Sequence, residues 1–260
     1  MSYANNKPSE ETSPDKGYAK FKRKTENKVG TLTRKTTYFY HNYLFLGILI
    51  LILIVVVGLI FVGAVTFAFK DVGFSSTTAV LILVGTLAGS LINIPLTKLK
   101  TTIPMVTEET ASYLGIVYKI PRVEFGCAET TVAINVGGGL IPTAVSFYLL
   151  WKVPSTLIYC LVGIAIVAII TRAVAKPVKG VGIVTPAFIP PIAAAIIAYV
   201  LMPTSPKIVA YVAGTLGTLI GADLTNLRGI PKLGAPVASI GGAGTFDGIF
   251  LAGIIAVLLV

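Results

Sequence analysis

After a polar opening stretch, residues 1–42, the chain alternates between long apolar runs and short polar connections. The first run, LFLGILILILIVVVGLIFVGAVTFAF, occupies about 43–69 and stops at Lys70 and Asp71. A bilayer core about 30 Å thick needs roughly 20 apolar residues in a helix, so this run is long enough to cross. A second run covers about 77–96, reaches Pro95 and holds one amide, Asn93. The third, about 130–151, contains Asn135, three glycines at 137–139 and Pro142, a combination that weakens or breaks a helix. A fourth follows at 156–170. The fifth begins irregularly after GVGIVTPAFIPP and ends near Met202; the sixth covers 206–224 and the seventh about 243–260.

This pattern predicts an all-α polytopic membrane protein with about seven transmembrane helices, some of them broken by Gly and Pro. Residues 43–260 form the transmembrane domain. Within it, 97–128 is the one sizeable polar connection, and its β-branched and aromatic stretch ASYLGIVYKIPRVEF fits a short hairpin or an interfacial element. Residues 1–42 have the composition of a disordered tail. The tail is too long for the n-region of a cleaved signal peptide, so the first run is expected to be a permanent anchor.

Composition agrees: 55% of the residues are hydrophobic and 12% charged, against about 25% charged in soluble domains. The net charge of +10 does not point to nucleic acid, because the tail carries no recognisable binding module. Nine basic residues lie in the tail, where they hold that end in the cytoplasm and attract anionic lipid headgroups. With the N-terminus inside, 18 of the 21 basic residues fall on the cytoplasmic side, and only Lys70, Lys152 and Lys207 fall outside. This asymmetry implies N-in, C-out topology and an odd number of spans. Seven is the count the runs give, and five if two of them are re-entrant.

Little in the composition supports metal or cofactor chemistry. The chain has two cysteines, Cys127 and Cys160, and one histidine, His41, at the mouth of the first span. No soft-ligand metal site is expected, the metal question is otherwise open, and no cofactor is implied. Of eleven acidic residues, nine precede residue 130; the other two are Asp223 and Asp247. An Asp at membrane depth costs about 2.5–3.5 kcal/mol on insertion scales, which makes such residues functional-site candidates. Both fall at the cytoplasmic ends of consecutive spans, with Asn226, Arg228 and several glycines between them. Asn93 and Asn135 fall toward the same half and would line a shared polar cavity. The plainer reading is that Asp247 is a helix N-cap, Asp223 a partner of Arg228 or Lys232, and the amides interhelical hydrogen bonds.

The segments GSLINIPL, INVGGGLIPT, GVGIVTPAFIPP, VAYVAGTLGTLIGADLTNL and GAPVASIGGAGTFDGIFLAGIIAVLL resemble the domain of unknown function 1614 family. These are multi-pass membrane proteins of archaea and bacteria, and the resemblance covers about 45–260. It implies a prokaryotic cell membrane and brings no activity with it. A partial similarity links Gly221-Ala222-Asp223 to the Gly-x-Gly-Asp motif of presenilin and signal peptide peptidase-type intramembrane aspartyl proteases, but the spacing before Asp247 departs from their pattern and no Pro-Ala-Leu follows.

Three functions are therefore open. In the first, Asp223, Asp247, Asn226, Asn93 and Asn135 bind or transport a cation or small polar solute. In the second, Asp223 and Asp247 are the acid and base of an intramembrane hydrolase. In the third, the protein is a structural or assembly subunit without a site.

Overall fold

The computed structural model describes residues 14–113, 116–178, 182–233, 236–242 and 248–260. It divides into two units, 1–60 and 61–260.

The first unit holds the larger part of helix α1, Pro14–Asp71. The expectation of a tail without regular structure is corrected from Pro14 onward. Lys20, Lys22, Arg23, Lys24 and Glu26 are good helix formers, and the helix continues from them into the apolar run. The part of α1 from Tyr43 to Asp71 is long and apolar enough to cross a membrane.

The second unit opens with the last turns of α1 and, among the described residues, contains six further α-helices. These are α2 (Ser76–Gly89), α3 (Ile141–Lys152), α4 (Leu157–Val174), α5 (Ile189–Leu201), α6 (Pro206–Thr218) and α7 (Gly248–Leu258). Each coincides with one of the apolar runs. Two helical stretches here are also long enough to cross, Pro154–Val174 and Pro206–Leu227, while α2, α5 and α7 are apolar but shorter. Helix α6 is the centre of the unit: every side chain from Ile208 to Thr218 is buried. Small residues make this possible. A β-carbon on Gly214 would stand 2.9 Å from the Ala252 carbonyl oxygen of α7, and one on Gly217 would stand 2.7 Å from Val167 of α4. Helices in lipid pack through such contacts because no hydrophobic effect drives them together. Phe69, Phe74, Tyr211 and Phe250 add an aromatic cluster, with Phe69 5.8 Å from both Phe74 and Tyr211.

The all-α expectation does not hold for residues 93–135. They form a two-stranded antiparallel ribbon, β1 (Asn93–Tyr113) and β2 (Ile116–Asn135), in register from Asn93↔Asn135 to Tyr113↔Ile116. At about 3.3 Å per residue its strands are roughly 65 Å long. Both ends of the ribbon had been assigned to helical runs. Pro95 has no N–H to give an α-helix, and the strand meets it with a register shift between Pro95 and Thr97. Thr130, Thr131, Val132 and Ile134 are β-branched and suit a pleated surface. Near the ribbon's base, Lys100 at 3.0 Å and Lys98 at 4.0 Å hold the exposed Glu129 carboxyl below its ordinary range, the Lys100 hydrogen bond having the larger influence. A short strand β5, Val237–Ile240, pairs parallel to Thr131–Ile134 of β2. A two-stranded ribbon, β3 (Lys176–Val178) with β4 (Gly182–Val184), follows α4.

Contacts within this unit sort its connections onto two ends. At one end Lys207 lies 2.5 Å from Asp71, and Lys152 donates to the Gly73 carbonyl at 2.9 Å. The ribbon base, β5 and the C-terminal end of the Pro206–Leu227 helix meet at the other.

Candidate functional site

The polar groups at that second end are placed by two tight backbone features. The first is the glycine run after β2. Asn135 ends the strand and caps a π-helical turn, Val136–Leu140, its Oδ1 accepting the Gly138 N–H at 2.7 Å. A capping side chain of this kind satisfies a helix-start donor that would otherwise be left open. The second is the turn after β5, where Gly241 and Gly242 take φ values of 83° and 80°. Only glycine adopts this region without penalty. The two features stack on each other: a β-carbon on Gly241 would lie 2.4 Å from the Gly139 nitrogen.

Asn135 is fully buried. Its Nδ2 donates to the Ser90 carbonyl at 2.7 Å and to Asn93 Oδ1 at 3.1 Å. Asn93 Oδ1 also accepts from Ser239 Oγ at 2.6 Å. Asn93, Asn135 and Ser239 thus join the end of α2, both strands of the ribbon and β5 in one hydrogen-bonded knot. With both amide hydrogens used, Asn135 has no donor left for a ligand.

Asp223 stands at the end of a second π-helical turn, Leu219–Asp223, which continues α6. Its Oδ2 accepts the Gly241 N–H at 2.8 Å, two residues along the chain from Ser239. Among the described residues Oδ1 makes no hydrogen bond, so the carboxylate keeps acceptor capacity. Asn226 does not join this group; its Nδ2 turns back onto the Ala222 carbonyl at 2.8 Å and closes its own helix end. Asp247 lies outside the described residues, as therefore does the separation of the two carboxylates. Among the described residues no cluster of three or more His, Cys, Asp or Glu side chains could hold a metal ion.

Sequence reasoning singled out Asn93, Asn135, Asp223 and the glycines after β5, Gly241 among them, but missed Ser239, which ties Asn93 to β5. Ser239 carries no distinctive signal among small residues. The Gly241-Gly242 pair does, as a dipeptide suited to a left-handed turn.

The model of a family described as a protein of unknown function (DUF1614) matches residues 87–259. The match begins in α2 and runs to the end of the last helix, so it includes every group of this site. No curated protein and no solved structure matches the chain. The partial similarity to intramembrane aspartyl proteases finds no support in these comparisons.

Proposed function

The chain belongs to the DUF1614 family, and from that membership and the site's geometry we propose a multi-pass membrane protein that binds a cation or small polar solute at Asp223. The observation that carries this reading is the Asp223 carboxylate itself. It sits at the end of a helix long and apolar enough to cross a membrane, with one oxygen anchored to a rigid glycine turn. A carboxylate so placed is costly, and it is fixed in direction as a ligand must be. The reading places the N-terminus in the cytoplasm of a prokaryotic cell and the C-terminus outside, with the basic tail against anionic headgroups.

The topology has structural support. Lys70, Lys152 and Lys207 follow or precede connections that meet at one end of the helical unit, and Asp223 with the ribbon base lies at the other. This reading has seven traverses, with the shorter helices crossing with help from the turns beside them. A phosphatase or fluorescent reporter fused after Val260 should work only if it is one that functions outside the cytoplasm. Activity of a cytoplasm-only reporter at that position would overturn the odd count.

Binding is tested on the detergent-solubilised full chain by thermal unfolding in sodium chloride against choline chloride. The expected result is a rise in midpoint with sodium for the natural protein and none for Asp223→Asn, with both folded in choline. An equal response of the two proteins would remove Asp223 from the site.

A further inference from the structure

Helix α6 is enclosed along its length, yet one of its faces is polar. Tyr211, Thr215 and Thr218 are buried and spaced i, i+4, i+7, which puts them on a common face. Among the described residues none of the three hydroxyls has a hydrogen-bond partner. Tyr211 and Thr215 act on each other electrostatically but do not reach hydrogen-bond geometry. Buried unpaired hydroxyls are rare and work against the fold. The facing helix offers no relief: α7 reads GIFLAGIIAVL and has no polar side chain. It approaches through Gly253, where a β-carbon would stand 2.3 Å from Thr215 Oγ1 and 3.2 Å from the Tyr211 ring.

The polar face runs on at both ends. One turn before Tyr211 is Lys207, half-buried and paired with Asp71. At the other end is Asp223, five residues after Thr218. In a regular α-helix five residues turn by about 500°, which would leave Asp223 roughly 140° away from Thr218. The π-helical turn changes this. The Leu224 N–H reaches back to the Leu219 carbonyl, so the turn holds one extra residue. Removing about 100° for that residue brings Asp223 within roughly 40° of Thr218. The irregular turn therefore returns the carboxylate to the hydroxyl face, and a single polar stripe, Lys207, Tyr211, Thr215, Thr218, Asp223, follows the helix from end to end.

We propose that this stripe is a proton path between the Lys207–Asp71 end and Asp223, so that protons compete with the cation for the Asp223 carboxylate. The inference rests on the reading of Asp223 as a ligand group. The contact of α7 backbone with the Thr215 hydroxyl leaves no space for a hydrated metal ion, whereas a proton needs none. Each hydroxyl accepts a proton on a lone pair and releases its own to the next acceptor, the last being a carboxylate oxygen. Residues three and four apart on a helix are surface neighbours, and Tyr211 and Thr215 already act on each other, so the proton passes between adjacent hydroxyls as they rotate. The charged groups facing the path are Asp71 and Lys207 at one end. At the other, α4 carries the exposed Arg172 in its last turn, and α7 has no charged side chain.

The test uses the full chain in vesicles of phosphatidylethanolamine and phosphatidylglycerol containing pyranine and potassium. Valinomycin makes the lumen negative, and acidification reports proton entry. Natural protein should acidify the lumen faster than protein-free vesicles. The triple variant Tyr211→Phe, Thr215→Val, Thr218→Val should be slower by about tenfold or more, as should Asp223→Asn. Because the triple variant removes only unpaired hydroxyls, its thermal midpoint should stay level or rise, so slowing cannot be put down to misfolding. Flux in the triple variant within about twofold of the natural protein, or no flux from the natural protein, would overturn the path. If flux is absent but sodium still stabilises the natural protein and not Asp223→Asn, only the path falls. If Asp223→Asn matches the natural protein in both assays, the Asp223 site falls with it.

Discussion

Gly241→Ala should be among the most damaging single methyl groups that can be added to this protein. The left-handed backbone at φ 83° disfavours any side chain by about 1–2 kcal/mol. The new methyl would also meet the Gly139 backbone at 2.4 Å, and crowding of a packed interior adds roughly 1–3 kcal/mol. Neither neighbour can yield easily, because both are backbone. Gly229→Ala is the matched control: a β-carbon there has nothing within 4 Å. In detergent, the Gly241 variant should unfold several degrees below the natural protein and the Gly229 variant close to it. Equal midpoints for the two would mean that the stacked glycine turns are not the rigid support on which Asp223 depends.

Asn135→Ala should be of similar size for a different reason. The side chain is fully buried and makes three hydrogen bonds. Its loss leaves the Ser90 carbonyl and the Gly138 N–H without partners in a dry interior, at about 1–3 kcal/mol for each group. The sum is roughly 2–6 kcal/mol, a large share of the stability of an ordinary domain. Asn93→Ala should cost less, because Asn93 is exposed and water can replace its bonds. Thermal unfolding of the two variants side by side decides the matter. If Asn93→Ala costs as much as Asn135→Ala, burial is not what gives the knot its strength.

The sequence made much of the helical part of this architecture readable, since each apolar run contains a helix. Its errors share a cause. Residues 92–96 and 130–135 are apolar enough to pass for the ends of membrane spans, and hydropathy alone does not distinguish a β-branched strand from a helix end. What decides is pairing between positions forty residues apart, such as Asn93 with Asn135, and no local signal carries that. The helical state of 14–42 was missed for the opposite reason: a composition too polar to pack can still be continued from a neighbouring helix. At the site, side chains that look out of place in lipid, Asn93, Asn135 and Asp223, were legible. Gly241 was legible as one of several glycines whose backbone N–H groups approach closely, whereas Ser239 was not, because it is an ordinary small residue. The π-helical turn before Asp223 was also hidden. A helical wheel drawn for the sixth run puts Asp223 on the wrong face, and only the extra residue in the turn corrects it.

The parallel pairing of β5 with β2 fixes the order in which this protein can mature. Thr131–Ile134 leave the ribosome about a hundred residues before Val237–Ile240, with which they pair. During that interval four helices are made, while the edge of β2 that takes β5 stands unpaired. The Asn93–Ser239 hydrogen bond and the Gly241 anchor for Asp223 form only after that interval. A product cut short before residue 237 would therefore retain most of its helices, lack the Ser239 and Gly241 partners of Asn93 and Asp223, and leave the β2 edge open. The segment from Val237 to Gly241 thus closes the edge that β2 leaves open and anchors Asp223 in a single step.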